Sequence, residues 1–521
     1  MRSKGVNSRV ITLILVVSSI SWGISSSLLT LFEGIDGNSD ANEIETKPNI
    51  LFILTDDQAF STIGALGNTL IQTPTMDALV AEGTHFTNAY VMGGSSPAIC
   101  SPSRAMLFSG RTLWNLENQG QYGFEISDAY QTLFQIFLEN GYNTFATGKN
   151  EPGRDGHFAR SFNHADKVLF RGMTGSQYRL PLVSFSPEGD YSREREEIHS
   201  GTHSAEVYAD AAIRFIEEQA DSEVPFVAYV AFQTPHDPRQ APTEFQAKYS
   251  ADEMVLPASY LPQHPFDNGM LRIRDEQLVG FPRTPDEIQQ QIADYYAMVS
   301  HDDFQISRIL EALKRSGHYE NTIIVFTSDN GLAVGKHGLM GKQNLYEHSI
   351  RVPLVLVGPG IPKGEVREQL CYIYDINPTL CDLAGLPVPE AVQFKSMADL
   401  IADPDNQHRE HLYFAFMYWQ RAVRDDRFKL IEYAVDNRRF TQLFDLTTDP
   451  EERINLAGQP NYLKDLSRLR KVLLTEKAHQ NDGNSTSEFT TGQGNAFWNT
   501  YEREAKTEIP VFEFEQTESF R

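Results

Sequence analysis

The stretch from Asn49 to Asp57, NILFILTDD, is an apolar run that ends in two carboxylates. A continuous apolar run bounded by polar residues is typical of a strand buried on both faces of a parallel sheet. Three later stretches follow the same pattern: VPFVAYVAFQTPHDP reaches His236, NTIIVFTSDNG reaches Asp329 and Asn330, and VPLVLVGPG closes in a turn. Helical patterns such as AEVYADAAIRFIEEQA and DYYAMVSHDDFQISRILEALKRSG lie between them. The sequence therefore predicts an α/β fold with a largely parallel sheet.

Polar side chains gather where the predicted strands end. In open α/β sheets ligands bind at the carboxyl ends of the strands, so these side chains are expected to meet. Asp56, Asp57, Asp329 and Asn330 offer only oxygen ligands, which suit Ca²⁺ or Mg²⁺. Adjacent aspartates also commonly cap turns and helices. Because two such pairs fall at two strand ends, we favour a metal site, with calcium ahead of magnesium.

The two ends of the chain differ in composition from its middle. The N-terminal apolar run VITLILVVSSI follows three basic residues, Arg2, Lys4 and Arg9. This run is shorter than the ~20 residues of a membrane-spanning helix, and the pattern predicts a secretory signal peptide. An uncleaved membrane anchor is the competing interpretation. Export would place the protein in the periplasm or outside the cell. The predicted segments are a signal peptide (1–27), a linker (28–47), a catalytic domain (48–400), a C-terminal subdomain with a small antiparallel sheet (401–478) and an irregular extension (479–521).

Charge and cysteine content narrow the possible partners. The chain carries 45 Lys and Arg against 70 Asp and Glu, a net charge of −25, so no nucleic-acid partner is expected. An anionic substrate would need a local basic pocket. Cys371 and Cys381 lie in QLCYIYDINPTLCDLAGLP, where the pattern looks helical, and each is expected to be free and buried, although a disulfide between them stays open.

The third cysteine, Cys100, stands in ICSPSRAMLFSGR (99–111). Ser101 and Pro102 predict a helix start, with Ser101 as the N-cap. The positive end of the helix dipole would then favour an anion beside Cys100, and Arg104 in the first turn would reach the same anion. A thiolate nucleophile is possible at this position. A plain thiolate is poorly suited to a hard cation, however, since hard cations prefer oxygen.

The stretch CSPSRAMLFSGR resembles the signature of the type I sulfatases, C-x-P-S-R followed by S/T-G-R. The resemblance runs from about Pro48 to Ala457 and includes PNILFILTDD, TPHDP, TSDNG and GKHGLMGKQNLYEHSIRVPLVL. It implies the α/β fold of the alkaline phosphatase superfamily, with a central mixed, largely parallel sheet flanked by helices and a smaller C-terminal α+β subdomain. It also implies a sulfuric ester hydrolase in which a formylglycine-generating enzyme, or an equivalent, converts Cys100 to formylglycine.

The resemblance also implies residue roles. The hydrated aldehyde at position 100 would attack sulfur and bind the metal together with Asp56, Asp57, Asp329 and Asn330. The implied catalytic residues are Cys100, Arg104, Lys149, His236 and Lys342. In this scheme the two lysines neutralise the sulfate oxygens, and His236 protonates the leaving alcohol or contacts the sulfate.

One segment departs from the family pattern. The family commonly has G-K-W-H after the nucleophile helix, whereas this chain has TGKNEPGRDGHF. Lys149 matches, but Asn150 stands at the tryptophan and Glu151 at the histidine that helps to expel sulfate. Glu151 is a candidate base and His157 is a second one, because general-base catalysis accepts either residue type. A weakened or inactive enzyme is the remaining alternative.

The substrate is less well determined by the sequence. We expect a sulfated polysaccharide or oligosaccharide of the carrageenan, ulvan, fucoidan or glycosaminoglycan type, although a small aryl or choline sulfate stays open. The candidate contacts are Arg239, Arg421 and Arg424 for further sulfates, His157 and His337 near the pocket, and Tyr418 and Trp419 for a sugar ring. For each of these arginines and aromatic residues an ordinary surface or core position stays equally open. The competing functions are a phosphodiesterase or phosphonate hydrolase of the same superfamily and a catalytically impaired protein that binds sulfated glycans.

Overall fold

The first apolar run forms the strand β1 (Asn49–Asp56), in which every residue is buried. Its successive side chains enter two different hydrophobic clusters: Ile50, Phe52 and Leu54 belong to one, and Leu51 and Ile53 to the other. This alternation follows from the period of two in a strand. β1 therefore separates two packed layers, as a strand at the centre of an α/β sheet must. The structure is a computed structural model that describes residues 47–116, 126–150, 155–184, 195–435 and 438–482.

The remaining described strands follow in chain order. They are β2 (Thr84–Phe86), β3 (Ala89–Tyr90), β4 (Gly93–Gly94), β5 (Asn143–Lys149), β6 (His164–Leu169), β7 (Arg179–Leu182), β8 (Glu197–Ser200), β9 (Phe226–Pro235), β10 (Thr322–Ser328), β11 (Leu354–Val357), β12 (Glu365–Arg367), β13 (Cys371–Tyr372), β14 (Leu412–Phe416), β15 (Gln420–Arg424), β16 (Phe428–Val435) and β17 (Arg438–Asp445).

The described α-helices are interspersed with these strands. They are α1 (Pro74–Glu82), α2 (Cys100–Ser109), α3 (Leu133–Glu139), α4 (Asp155–Ser161), α5 (Ser204–Glu218), α6 (Thr243–Gln246), α7 (Pro285–Arg315), α8 (Glu347–Ile350), α9 (Ile376–Leu383), α10 (Ala398–Ala402) and α11 (Leu463–His479). Among the described residues, no helix combines the length and the hydrophobicity that a membrane crossing needs.

The large sheet has eight strands in the order β12-β2-β11-β10-β1-β9-β5-β6. β1 pairs parallel with both β10 and β9, and β5 pairs parallel with β9 and β6, whereas β11 runs antiparallel to β10. Helices α5 and α7 pack on one face, and α2, α3 and α9 contribute to the cluster on the other face. The predicted mixed, largely parallel sheet flanked by helices is confirmed.

A smaller sheet has the order β17-β16-β15-β14-β4. Strands β14 to β17 pair antiparallel and α11 follows them, so the predicted antiparallel strands and helix are confirmed. β4, which lies just before α2, pairs parallel with β14. All the described residues belong to one compact unit that begins at Lys47. The boundary placed at residue 400 stays a prediction, and the proposed signal peptide and linker precede the described residues apart from Lys47.

Some local predictions need correction. Helix α7 begins at Pro285, before the predicted helical stretch, because Thr284 and Glu287 form a capping box there. Cys371 lies in the short strand β13, and the helix of that stretch starts only at Ile376. The expectation that Cys371 and Cys381 are free and buried is confirmed.

Candidate active site

The carboxyl ends of four neighbouring strands of the large sheet meet in one buried site. β5, β9, β1 and β10 are adjacent in the sheet and run parallel, so their carboxyl ends open on the same edge. The side chains that leave these ends are Lys149 from β5, His236 after β9, Asp56 and Asp57 from the end of β1, and Asp329 and Asn330 after β10. Each of them is less than a tenth exposed.

Asp57 adopts a left-handed backbone conformation, with φ 71°. A non-glycine residue in this region costs on the order of 1–3 kcal/mol. The surrounding contacts hold it there, because its amide donates to Asp329 Oδ1 at 3.2 Å and its carbonyl accepts from the hydroxyl of Tyr295 at 2.5 Å. The turn brings the carboxylates of Asp56 and Asp57 to the same side chain, Cys100.

Cys100 is the first residue of α2, and Ile99 rather than the predicted Ser101 is the N-cap. The helix therefore starts two residues earlier than predicted, and residue 100 itself lies at the positive end of the helix dipole. Its Sγ lies 3.1 Å from Asp56 Oδ1 and 2.7 Å from Lys342 Nζ. Burial and the charges of Asp329 and Asp56 raise the pKa of the thiol well above its usual value. The unmodified side chain is thus a neutral thiol, and this argues against a thiolate at position 100 as the nucleophile.

Four of these side chains form a potential metal centre. Asp56, Asp57, Cys100 and Asp329 each offer one ligand atom, and these atoms all lie within 4.8 Å of one another. Three of the four donors are carboxylates, which suit a hard divalent cation, and an oxygen at position 100 would complete the set better than sulfur. His236 joins Asp56 and Cys100 in a second, overlapping group.

The two neighbouring carboxylates differ in protonation behaviour. For Asp56, burial acts to raise the pKa, but the charge of Lys149, followed by those of His236 and Lys342, holds it well below its usual value. For Asp57, burial raises the pKa to about 6 even though Lys342 and His236 oppose the rise. The buried site therefore accommodates further positive charge at Asp57, as a divalent cation would provide.

Two lysines complete the site. Lys149 Nζ lies 2.5 Å from Asp56 Oδ2, and Lys342 Nζ is hydrogen-bonded to Asp57 Oδ1.

Gly148 has φ 89°, and a Cβ there would lie 1.9 Å from the carbonyl oxygen of Ala231 on the adjacent strand β9. Only glycine fits this close approach, which sets the course of β5 just before Lys149.

Arg104 is fully buried beneath the carboxylates. Its Nε donates to Asp329 Oδ2 at 2.8 Å, and its Nη1 donates to the carbonyl oxygen of Lys149 at 2.7 Å. Nη2 lies 4.0 Å from Asp56 Oδ1. The guanidinium thus ties together the ends of β5, β10 and β1, and Arg104 is a positioning residue in this structure.

We expect Arg104→Met to destabilise the fold by about 3–5 kcal/mol, because it leaves the buried carboxylate of Asp329 without its partner. Denaturant unfolding of the purified variant measures this loss. Arg104→Lys keeps the charge but not the fork of donors, so a smaller loss is expected. If Arg104→Met unfolds at the same midpoint concentration of denaturant as the wild type, the positioning role of Arg104 is contradicted.

His236 is oriented by its own neighbour. Its Nδ1 lies 2.8 Å from the carbonyl oxygen of Asp237, which can only accept, so Nδ1 carries a proton. Its Nε2 faces the site at 3.7 Å from Asp57 Oδ2. The nitrogen turned toward the carboxylates and Cys100 is therefore the one free to exchange a proton with a bound group.

Asp275 and Gln343 were not predicted from the sequence. Gln343 Nε2 donates to Asp275 Oδ2 at 2.8 Å and to the carbonyl oxygen of Pro97 at 3.2 Å, while its Oε1 accepts from the amide of Lys342 at 3.0 Å. Burial acts to raise the pKa of Asp275, but the charges of Lys342, His236 and Arg274 outweigh it and lower the pKa to about 2. This ionised carboxylate and amide join the loop before Cys100 to the loop of Lys342.

The two candidates for the second catalytic step are Glu151 and His157. Glu151 lies outside the described residues. His157 is buried, and its ring packs edge-on against Phe108 at 5.9 Å between centroids. Phe108 follows Cys100 by eight residues on α2, on the order of 12 Å along the axis. The described contacts of His157 thus place it in the aromatic core rather than in the carboxylate site.

Two further candidates, Arg239 and His337, have described contacts outside the site. Arg239 donates through Nη1 to Gln291, its guanidinium lies 5.9 Å from the ring centre of Tyr295, and its Nε and Nη2 have no partner among the described residues. His337 stacks on Tyr346 at 4.0 Å, and its Nε2 bonds to a backbone carbonyl in the C-terminal part. None of the described contacts of either residue is with the carboxylates or Cys100.

The expectation that Arg421 and Arg424 meet substrate sulfates is wrong for these buried side chains. Arg421 is 2% exposed and forms an ion pair with Asp482, whose Oδ2 accepts from Nε. Arg424 is 3% exposed and contacts the hydroxyl of Tyr90 and Glu347. Both arginines form buried pairs with partners distant in sequence, so neither is available to a ligand.

Two protein-family profiles match the part of the chain that contains these site residues. The sulfatase family profile matches residues 48–386, and a profile for the C-terminal part of N-sulphoglucosamine sulphohydrolase matches residues 335–480. Together these matches span the large sheet, the carboxylate site and the smaller sheet.

Individual relatives align over most of the chain. An arylsulfatase of Clostridium perfringens is 29% identical over 476 residues, which cover 84% of this chain and 96% of the relative. An ulvan-active sulfatase of Formosa agariphila is 29% identical over 469 residues, which cover 86% of this chain and 84% of the relative. A solved structure of a protein with its substrate D-glucosamine-2-N,6-O-disulfate superposes with a TM-score of 0.71 at 24% identity, covering 85% of this chain and 100% of that one.

Proposed function

Because the chain belongs to the sulfatase family, as a type I sulfuric ester hydrolase with the alkaline-phosphatase-like fold, we propose that it removes sulfate from a sulfated glycan through a formylglycine made from Cys100. The observation that carries the proposal is the position of the Cys100 side chain. Its Sγ contacts both Asp56, a candidate metal ligand, and Lys342, a candidate sulfate ligand. The sulfur stands where an aldehyde-derived oxygen would act.

The implied groups fit the residues around them. A formylglycine at position 100 supplies a hydrated aldehyde, an oxygen nucleophile. A hard divalent cation, for which Ca²⁺ is our proposal, supplies positive charge opposite the sulfate oxygens. Asp56, Asp57, Asp329 and Asn330, together with residue 100, would hold this ion.

The remaining steps fall to side chains of the chain itself. Lys149 and Lys342 would stabilise negative charge on the sulfate oxygens in a site from which water is excluded, where such charges act strongly. In its doubly protonated form, His236 would give the Nε2 proton to the leaving alcohol and keep the Nδ1 proton that a carbonyl engages.

A carbohydrate substrate is supported by the surroundings of the site and by the relatives. Met417, Tyr418 and Trp419 form the turn between β14 and β15, and the amide of Met417 donates to the carbonyl of Gly94, just before the Cys100 loop, at 2.8 Å. The rings of Tyr418 and Trp419 are partly exposed and lie 4.6 Å apart. Aromatic faces near a basic pocket suit a sulfated sugar, and one relative is named as acting on ulvan.

The proposal is tested with protein co-expressed with a formylglycine-generating enzyme. We expect inorganic sulfate, measured by ion chromatography, to be released from sulfated oligosaccharides. Phosphate and phosphonate esters with the same leaving groups serve as the matched comparison. Faster turnover of those esters would instead assign a phosphodiesterase or phosphonate hydrolase, and binding of sulfated sugars without sulfate release would assign a glycan-binding protein.

Glu151 is our proposed base for the step that expels sulfate, by its position in the chain after Lys149. We expect Glu151→Gln to slow sulfate release by ~100-fold to ~10,000-fold, the usual cost of losing a general base. Rapid-mixing measurements should then show the leaving alcohol released in the first turnover ahead of inorganic sulfate. His157→Phe is the control, because it keeps the aromatic contact with Phe108. If Glu151→Gln releases sulfate at the wild-type rate and His157→Phe releases it slowly, the general base is His157 instead.

A further inference from the structure

Arg274 is an arginine on the rim of the site whose side chain is 41% exposed. Its Nη2 lies 3.0 Å from Asp237 Oδ1 and 2.6 Å from Asp275 Oδ1, and its Nε donates to the same oxygen of Asp275 at 3.0 Å. The two carboxyl groups are only 12% and 8% exposed. An exposed guanidinium is thus held in one orientation by two nearly buried acids, and little side-chain freedom remains to be lost on binding.

The two acids connect Arg274 to opposite sides of the candidate active site. Asp237 follows His236 and accepts from its Nδ1 through the backbone carbonyl at 2.8 Å. Asp275 accepts from Gln343, the residue after Lys342, at 2.8 Å. Arg274 therefore lies on the rim between the proposed leaving-group acid and the proposed sulfate ligand, closer to solvent than either of them.

One nitrogen of Arg274 is not engaged by a carboxylate. Nη1 has the thioether sulfur of Met173 as its contact among the described residues, and a thioether is a weak acceptor. Met173 is itself 38% exposed. Nη1 is therefore the nitrogen of this partly exposed side chain that is left to bind a group of the substrate.

We propose that Arg274 binds a second anionic group of the substrate, either a carboxylate or a second sulfate. The sugar that carries the scissile sulfate ester would also carry this group. This inference rests on the proposed function, since it places the sugar on the His236 side of the site. Arginine suits this task because it stays charged and offers its donors in a fixed fork that matches carboxylate and sulfate oxygens. The substrate class is then a sugar with two anionic groups rather than one.

The test compares kcat/KM for a doubly charged and a singly charged sulfated sugar that share the scissile ester. We expect the wild type to prefer the doubly charged sugar, and Arg274→Met to reduce that preference by about 10-fold to 100-fold, the usual value of a charge-assisted hydrogen bond. Arg274→Lys should retain part of the preference. A disulfated sugar and a monosulfated uronic acid form separate arms, which identify the second anion as a sulfate or a carboxylate.

Arg272→Met is the matched control, because Arg272 is exposed, lies two residues away and has no side-chain partner among the described residues. This variant removes the same charge from the same segment and should keep the wild-type preference. An equal fall for both substrates in Arg274→Met would show that Arg274 only supports the local structure, and would overturn the proposal. If Arg272→Met loses as much of the preference for the doubly charged sugar as Arg274→Met does, the preference depends only on the net charge of the segment. This result would also overturn the proposal.

A binding measurement separates this inference from the proposed function. In the Cys100→Ala background the protein cannot turn over, and calorimetry with the doubly charged sugar should show about 10-fold to 100-fold weaker binding when Arg274→Met is added. Absence of sulfate release by the wild type, with this difference in binding intact, would overturn the proposed hydrolysis alone. Equal affinity with and without Arg274 would overturn the second anion site, whatever the enzyme hydrolyses.

Discussion

Cys100→Ala is expected to abolish sulfate-ester hydrolysis, with a fall in kcat on the order of 10⁵-fold or more, as for the removal of a catalytic nucleophile. Alanine offers no side chain that can become an aldehyde, so the oxygen proposed to attack sulfur cannot form. The substitution removes one atom from a site whose other members hold one another in place, since Arg104 pairs with Asp329 and Lys149 with Asp56. Folding should therefore be retained.

The control for this prediction is Cys381→Ala. Cys381 is equally buried and free, but it lies in α9, in the hydrophobic cluster below the sheet. Its loss should cost only a little stability and leave turnover unchanged. Sulfate release at the wild-type rate by Cys100→Ala would refute the proposed chemistry.

The state of residue 100 can be measured directly. Mass spectrometry of the peptide around residues 99–104 should find an aldehyde in place of the thiol in protein from the native host. In a host that lacks the maturing enzyme, the raised pKa of the buried thiol leaves it neutral, so such protein should be inactive. Activity that rises in proportion to the aldehyde fraction would support the assignment, and full activity without aldehyde would contradict it.

The strand ends were predictable because a simple physical rule governs them. A strand buried on both faces must be apolar throughout, so the first polar residues after it mark the sheet edge. Asp56, Asp57, His236, Asp329 and Asn330 were identified in this way, and the structure brings them together. The predicted helix start lies two residues too late, because the sequence does not distinguish a serine that caps a helix from one in its first turn.

Contacts between irregular segments were not predictable. Arg274 and Asp275 lie in a stretch with no helical or strand period, and Asp275 meets Gln343 across 68 positions of sequence. The prediction for Arg421 is wrong for the same reason, since its partner Asp482 lies 61 positions away. A charged residue in the sequence carries no sign of whether a distant partner buries it. Such pairs are defined only when the whole fold is assembled.

Removal of divalent cations is expected to abolish turnover, by on the order of 10⁴-fold, because several kcal/mol of charge stabilisation at the sulfate would be lost. Dialysis against a chelator followed by addition of Ca²⁺ should restore activity. Because the ion would bind only the folded protein, saturating Ca²⁺ should also stabilise it by about 4 kcal/mol at a thousandfold excess over Kd. Calorimetry should find one site, and this measurement does not depend on catalysis.

Asp57→Asn tests whether this ion occupies the carboxylate site. Burial raises the pKa of Asp57 to about 6 against the charges of Lys342 and His236, and a bound cation would favour its ionised form. The variant should lose the stabilisation by Ca²⁺ along with turnover. Asp302→Asn is the matched control, since Asp302 is a buried acid on α7 that accepts from the hydroxyl of Thr234, and burial raises its pKa well above its usual value. An amide there should preserve the response to Ca²⁺. Chelator-resistant activity, or an unchanged response in Asp57→Asn, would show that the four oxygen donors serve the fold and not a metal.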